Sequence, residues 1–133
     1  MKHQQGFSLI EVLIALVVLS FGLVGMAAMQ LKALQNATHG YQRSVVTLAA
    51  VDAQELFWAE LAQGAVCSDM VANVESEWDK YWFGDGSETP IRGFSGEIKP
   101  NAAISCEFSI KITSASGSED YEHTFRLPDP EES

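Results

Sequence analysis

The hydrophobic pattern divides the chain into an apolar N-terminal run and a longer mixed part. Val12–Met29 contains no charged residue, and its 18 residues are enough for a transmembrane helix. Beyond it, apolar residues recur at helical spacing among charged ones, and no proline occurs before Pro90. The pattern predicts one helix over residues 7–63, with residues 7–30 in the membrane. A helix of that length measures about 85 Å, so its outer half must pack on another part of the chain.

The remaining residues, 64–133, are expected to form a small globular head with a β-sheet. Apolar and polar residues alternate from Ala103 to Thr113 and again from Tyr121 to Leu127, with a serine-rich turn between the two segments. This is the period of strands with one buried face, and it predicts an antiparallel hairpin. A weaker strand is expected over Ile91–Lys99, and Gly64 is expected to end the long helix. The expected fold class is therefore α+β, a long helix packed on a small antiparallel sheet.

The segment between the helix and the sheet, Val66–Phe83, is polar and rich in aromatic residues. Aromatic clusters can stack on a ligand or lie at an interface. Core packing of a small domain is the favoured interpretation here, and the acidic tail Pro128–Ser133 is expected to fray. The clustered aromatic residues are Trp78, Tyr81, Trp82 and Phe83.

The formal net charge of −10 is placed mostly in the head. Residues 64–133 contain 14 acidic and 5 basic residues, giving −9 for that part. An acidic exposed surface favours solubility and a basic partner. Nucleic-acid binding needs clustered Lys and Arg to neutralise phosphates, and the sequence gives no strong signal of that kind.

The two cysteines, Cys67 and Cys106, are too few and too far apart for a zinc site. Beyond a membrane anchor, in an oxidising compartment, such a pair predicts a disulfide. Two free buried thiols remain the alternative.

No constellation in the sequence indicates an enzyme. The histidines are His3, His39 and His123, and none lies in a recognised nucleophile motif. A glycine-rich phosphate loop is also missing from the sequence. We therefore expect no catalytic residue, no cofactor and no metal site.

The N-terminus differs from an ordinary secretory signal peptide, in which cleavage follows a short apolar stretch. Here a polar leader ends at Gly6, directly before an apolar run that is too long for such a signal. The natural place for cleavage is after Gly6, which would leave the apolar segment in the mature protein. Cleavage would also give Phe7 a free α-amine.

Glu11 is a carboxylate one turn into the apolar helix, where burying a charge in lipid costs about 2.5–3.5 kcal/mol. Such an acid either reaches the membrane surface with its side chain or meets a positive charge in an assembly. The α-amine of a cleaved Phe7, four residues away, could pair with Glu11 in the same chain or in a neighbouring one.

The run Gly6-Phe7-Ser8-Leu9-Ile10-Glu11-Val12-Leu13-Ile14-Ala15-Leu16 resembles the class III signal of type IV prepilins and type II secretion pseudopilins. The resemblance implies a pilin fold and residues 1–6 as a leader removed by a prepilin peptidase. It also implies N-methylation of Phe7 and use of Glu11 to neutralise the N-terminus of an adjacent subunit.

The following residues, Val17–Gln30, resemble the minor pilins of the PilV type, which carry a Ser-x-Gly-Leu-x-Gly pattern there. This implies a minor subunit of a type IV pilus, acting in assembly initiation or at the tip. Implied partners are other minor pilins, the major pilin, a tip adhesin and an inner-membrane platform protein. The implied location is the inner membrane with a periplasmic head, and after assembly the fibre or its tip.

Two other functions stay open at this point. One is a minor pseudopilin of a type II secretion system, and the other is a binding module tethered by a single span that keeps residues 1–6.

Gly22 and Gly25 also have two interpretations. They could let the helix stretch or approach another helix closely, or they could reflect the general frequency of glycine in membrane helices.

Overall fold

The computed structural model describes residues 6–130, so the leader residues 1–5 and the tail residues 131–133 lie outside the described part. Two helices precede three strands in the chain. The predicted α+β class is confirmed: a long, apolar N-terminal helix is followed by a small antiparallel sheet in a pilin-like architecture. The elements are α1 Leu9–Ala62, α2 Cys67–Trp82, β1 Ser95–Pro100, β2 Glu107–Thr113 and β3 Asp120–Arg126. The chain divides into two compact units after Gly40.

Helix α1 ends at Ala62, and Gly64, the glycine expected to stop it, lies in the turn that follows. This glycine has a φ of +86°, a left-handed conformation that most other residues adopt only at a cost. Its N–H donates to the Leu61 carbonyl, and the Ala65 N–H donates to the Glu60 carbonyl. The two bonds form a Schellman motif, which satisfies the last carbonyl groups of the helix and turns the chain back towards α2.

The second unit, from Tyr41 onwards, has its core between the last turns of α1, α2 and the sheet. Small residues on one face of α1, including Ala49, Ala50 and Ala53, are fully buried. Their size allows close approach of the neighbouring elements. The opposing face of α2 is formed by residues four apart, which lie one above the other on a helix. These residues are Met70, Val74, Trp78 and Trp82.

The sheet has the order β1-β2-β3 with both pairs antiparallel. The predicted hairpin is confirmed as β2 and β3, and β2 is the central strand. Phe108, Ile110 and Ile112 point from β2 into the core, where each is almost completely buried. Phe57 of α1 lies against Phe108 with ring centroids 4.5 Å apart, so the helix packs on the centre of this sheet.

Gly96 of β1 lies directly under an aromatic pair. A Cβ at this position would lie 2.6 Å from the Trp78 ring and would also overlap Phe83. The two rings meet edge to face at a centroid distance of 5.2 Å. Glycine is therefore required here by the close approach of α2 to β1.

The structure corrects the prediction for the segment between the long helix and the sheet. Residues 66–83 were expected only as an aromatic-rich segment, and most of them form α2. The core interpretation holds for Trp78, Trp82 and Phe83, but it is wrong for Tyr81, which is 64% exposed. Tyr81 does not share the four-residue spacing that places Trp78 and Trp82 on the buried face of α2.

Two predicted strands begin later than expected. The strand expected from Ala103 starts at Glu107, because Cys106 has a left-handed φ of +56° that an extended chain cannot contain. Cys106 is buried, but it precedes the central strand, and Ile104 is partly exposed. The strand expected from Ile91 starts at Ser95, after a turn in which the Phe94 N–H donates to the Ile91 carbonyl.

Candidate functional site

The candidate site is the N-terminal end of α1, where Gly6 and Phe7 precede the first helical turn. The Ser8 carbonyl accepts hydrogen bonds from the N–H groups of Glu11 at 3.0 Å and Val12 at 3.3 Å. Helical bonding therefore begins directly after the Gly6–Phe7 bond. Gly6 is exposed, and Phe7 is 84% exposed. The Gly6–Phe7 peptide bond, the predicted cleavage site, is thus accessible and lies outside the helix.

The first unit of the chain presents its apolar side chains to its surroundings. Every described residue up to Gly40 is exposed, including the whole run Val12–Met29. Helix α1 is long and apolar enough to cross a membrane, and none of its most apolar stretch is buried inside the protein. A core helix of the same composition would be covered by other parts of the chain. This arrangement fits a membrane anchor.

Glu11 lies in the first turn of α1, where a carboxylate is favoured by the partial positive charge of the helix N-terminus. Within residues 6–130 the structure gives its side chain no hydrogen bond and no ion pair. The carboxylate is exposed and surrounded in sequence by apolar residues. The Glu11 carboxylate is therefore free to pair with a cation from outside residues 6–130.

The glycines of the N-terminal segment are not explained by packing within the chain. A Cβ at Gly6, Gly22 or Gly25 would meet no atom within 4 Å, and none of the three has a left-handed φ. Gly22 and Gly25 lie in uninterrupted helix. Packing within the described part of the chain therefore sets no requirement for glycine at these positions. The expected flexibility of the helix there stays a prediction.

Cys67 and Cys106 are joined by a disulfide, the pairing that the sequence analysis expects. The bond links the first residue of α2 to the residue before β2. The Cys106 carbonyl also accepts a hydrogen bond of 2.9 Å from the Leu127 N–H, just after β3. Three elements of the head are thus held together around one covalent bond.

The histidines in the described part have no arrangement that indicates catalysis. His39 is exposed on α1. His123 lies within hydrogen-bonding distance of the Gln54 side chain, 2.9 Å from Nε2 to Oε1, and its ring stacks on Phe125. It therefore joins β3 to α1, while His3 lies outside the described residues. Within residues 6–130, no three His, Cys, Asp or Glu side chains lie close enough together to hold a metal ion.

Sequence reasoning missed the polar contacts that hold α2 against α1. The Trp78 indole donates to the Ala49 carbonyl oxygen at 2.9 Å, and the Trp82 indole donates to the Asp52 carboxylate at 2.8 Å. The spacing of four between the two tryptophans is the signal that could have indicated a shared helical face. The Ala49 partner has no sequence signal, because a backbone carbonyl is present at every residue, whereas the Asp52 carboxylate is a polar residue on the amphipathic part of α1.

Comparison with known proteins bears on the N-terminal segment. Residues 1–27 match the family model of the prokaryotic N-terminal methylation motif. This chain carries a prepilin-type N-terminus. The match supports a type IV pilin-like protein, and it points to a structural subunit that is processed by a prepilin peptidase and assembles with other pilins. No curated protein and no solved structure matches the pilin-like chain.

Proposed function

We propose that this protein is a minor subunit of a type IV pilus, acting in assembly initiation or in the tip complex. The observation that carries the proposal is the methylation motif over residues 1–27, followed by a helix whose apolar part is exposed throughout. In this account residues 1–6 form the leader, residues 7–30 cross the inner membrane, and residues 64–133 form a periplasmic head.

Processing takes place at the Gly6–Phe7 bond. A prepilin peptidase cleaves this accessible bond, and the new α-amine of Phe7 is methylated. Cleavage removes Gly6 with the leader, so the absence of any packing role for that glycine is consistent with a requirement set by the peptidase. The apolar helix stays in the mature protein and holds it in the membrane until assembly.

Glu11 then serves assembly. An unpaired carboxylate near the membrane is costly, and its cost falls when an ammonium group neutralises it. The N-terminal amine of an adjacent subunit supplies that group at a matching depth in the helix bundle. Because Glu11 has no partner within residues 6–130, this pairing displaces no existing contact there.

Two features favour a minor pilin. The segment Ser20-Phe21-Gly22-Leu23-Val24-Gly25-Met26 resembles the PilV type, and α1 contains no proline of the kind that major pilins usually have in this part of the helix. A Cβ at Gly22 or Gly25 would meet no atom within 4 Å, so the space beside each glycine is open, which suits close approach of neighbouring helices in a bundle. Other minor pilins, the major pilin, a tip adhesin and the platform protein are the proposed partners.

The test replaces Glu11 with glutamine, which keeps the size of the side chain and removes its charge. Glu11→Gln is expected to insert and be cleaved normally, because the helix becomes more apolar, yet to enter the fibre poorly. Glu88→Gln in an exposed loop of the head is the control and should be incorporated like the wild type. Normal incorporation of Glu11→Gln would contradict the proposed role.

Complementation tests whether the chain belongs to a type IV pilus or to a type II secretion system. Pseudopilins of type II secretion share the same N-terminal signal, so a strain that lacks this chain distinguishes the two systems. The pilus proposal predicts loss of surface fibres, restored by the wild-type chain, with protein secretion unchanged. Loss of secretion with normal fibres would assign the chain to a secretion system instead.

A further inference from the structure

The chain continues beyond β3 as a short segment that lies against the disulfide. The pairing of β3 with β2 ends just before this segment. The Leu127 N–H donates to the Cys106 carbonyl oxygen at 2.9 Å, and the Leu127 side chain is only 2% exposed. The Ser105 hydroxyl donates to the Asp129 carboxylate. Residues 127–129 thus form a strap that is attached to Cys106 and to the residue before it.

The two sulfur atoms of the disulfide differ in accessibility. Cys106 is 5% exposed and belongs to the core, whereas Cys67 is half-buried at its margin. The Ser105 Oγ lies 3.8 Å from the Cys106 Sγ, so the hydroxyl group that holds Asp129 also borders this sulfur. Approach to the Cys106 sulfur from the side of Ser105 therefore requires the strap to move.

The two sulfur atoms also differ as leaving groups. When a thiolate attacks one sulfur of a disulfide, the other leaves as a thiolate, and reduction is faster when that thiolate is stabilised. Cys67 is the first residue of α2, where the partial positive charge of the helix N-terminus favours a thiolate. A Cys106 thiolate would lie beside a hydroxyl group whose proton is already donated to Asp129. Attack on Cys106, which releases Cys67, is therefore the chemically favoured route.

We propose that the strap protects the Cys67–Cys106 disulfide from thiol reductants by covering the sulfur whose attack releases the better leaving group. Once the strap opens, a thiolate of a dithiol reductant attacks the Cys106 Sγ. The S–S bond breaks, and its electron pair leaves on the Cys67 sulfur, which takes up a proton from water. The second thiolate of the reductant then attacks the mixed disulfide and releases Cys106. The reductant ends as a disulfide and the protein as two thiols.

The protection is kinetic, because it depends on how often the strap opens. Opening breaks the hydrogen bonds of the strap and exposes the Leu127 side chain to water, so the open form is a minor state. The bond that stabilises the head thus persists among thiols for as long as the strap is docked. This property belongs to the head alone, and it is independent of N-terminal processing.

The test measures how fast excess dithiothreitol reduces the full chain in detergent micelles, with the new thiols trapped by an alkylating reagent and counted by mass spectrometry. Asp129→Ala removes one end of the strap contact and leaves the buried Leu127 in place. Its disulfide is expected to be reduced about five-fold faster than that of the wild type. Asp85→Ala, in an exposed turn, is the matched control and should react at the wild-type rate. Equal rates for Asp129→Ala and the wild type would overturn the proposal.

A double variant shows whether the rate depends on one contact. Ser105→Ala removes the same hydrogen bond from its other end, so it should accelerate reduction about as much as Asp129→Ala. The double variant should then be no faster than either single variant. Ser76→Ala, exposed on α2, is the control. Fully additive effects in the double variant would show that the two side chains act separately, against the proposal.

Two further measurements separate opening of the strap from other routes. Dilute urea should hardly change the reduction rate, because opening of the strap exposes little surface. A rate that rises as steeply with urea as the unfolding equilibrium would show that only the unfolded chain is reduced. A brief reaction with a monothiol, stopped with acid, identifies the attacked sulfur. We expect a mixed disulfide on Cys106 with Cys67 as a free thiol, and a mixed disulfide on Cys67 would contradict the proposal.

Discussion

The indole Nε1 of Trp78 donates a hydrogen bond of 2.9 Å to the backbone carbonyl oxygen of Ala49, inside the core of the head. The contact is possible because Ala49, Ala50 and Ala53 leave room for α2 to approach α1. Trp78 thus combines apolar burial with a polar anchor on the long helix.

Trp78→Phe is expected to lower the free energy of unfolding by about 2 kcal/mol, because the hydrogen bond and part of the ring volume are lost. Trp58→Phe is the matched control: Trp58 is 41% exposed, so its change should stay within about 0.5 kcal/mol. Urea unfolding in micelles, followed by fluorescence, measures both. Equal losses for the two variants would contradict the anchoring role.

Gly96→Ala is expected to destabilise the head by about 1–3 kcal/mol, since the added methyl group overlaps the Trp78 and Phe83 rings. Gly86→Ala is the control, because a Cβ there meets nothing within 4 Å and the residue has no left-handed φ. Thermal unfolding of both variants gives the comparison. A stability of Gly96→Ala equal to that of the control would show that α2 does not approach β1 so closely.

The double variant Cys67→Ser, Cys106→Ser removes a bond that closes a loop with a sequence separation of 39. The loop-entropy relation predicts a loss of about 4 kcal/mol in the free energy of unfolding. The measurement is urea unfolding of the variant against the oxidised wild type. Reduction of the wild type should give a similar loss, and a loss below about 1 kcal/mol in both would show that the bond contributes little.

Lys111 and Asp120 form an ion pair, with Nζ and Oδ2 2.9 Å apart. This pair makes the stability of the head depend on pH in the acidic range. The hydrogen bond from Lys111, and then that from Thr113, lowers the pKa of Asp120 below its ordinary 3.8. The same hydrogen bond to Asp120 raises the pKa of Lys111.

A lowered carboxylate pKa stabilises the folded state above the ordinary pKa, and that stability is lost as the pH falls through the lowered value. Asp120→Asn should therefore be less stable than the wild type at neutral pH, and the difference should vanish at strongly acidic pH. Because both side chains are exposed, added salt should reduce the difference. Unfolding curves over a pH series measure this. A difference that grows on acidification would contradict the assignment.

The parts of the fold that sequence patterns predict are those with a strong local signal. A few neighbouring residues are enough to indicate three features. These are the apolar first half of α1, the glycine after its C-terminus at Gly64, and the alternation of buried and exposed residues in β2 and β3. The start of β2 does not, because the turn at Cys106 depends on a left-handed φ that alternation cannot reveal. Helix α2 does not follow from composition, because its polar and aromatic residues are typical of loops as well, and only the spacing of four between its buried residues indicates a helix.

For the candidate site, the sequence predicts the motif but not its surroundings. Gly6, Phe7 and Glu11 are recognisable from their order before an apolar run. The structure adds that Glu11 has no partner within residues 6–130 and that Gly6 has no packing constraint. The order of the strands could not be predicted, because hydrophobic alternation shows which face of a strand is buried but not which strand is its neighbour.

The most direct test of the proposed processing is mass spectrometry of the N-terminal peptide of the mature protein, purified from membranes that contain the prepilin peptidase. We expect a peptide that begins at Phe7 and carries one methyl group on its α-amine. A mature protein that keeps residues 1–6, or that begins after the apolar run, would contradict the account.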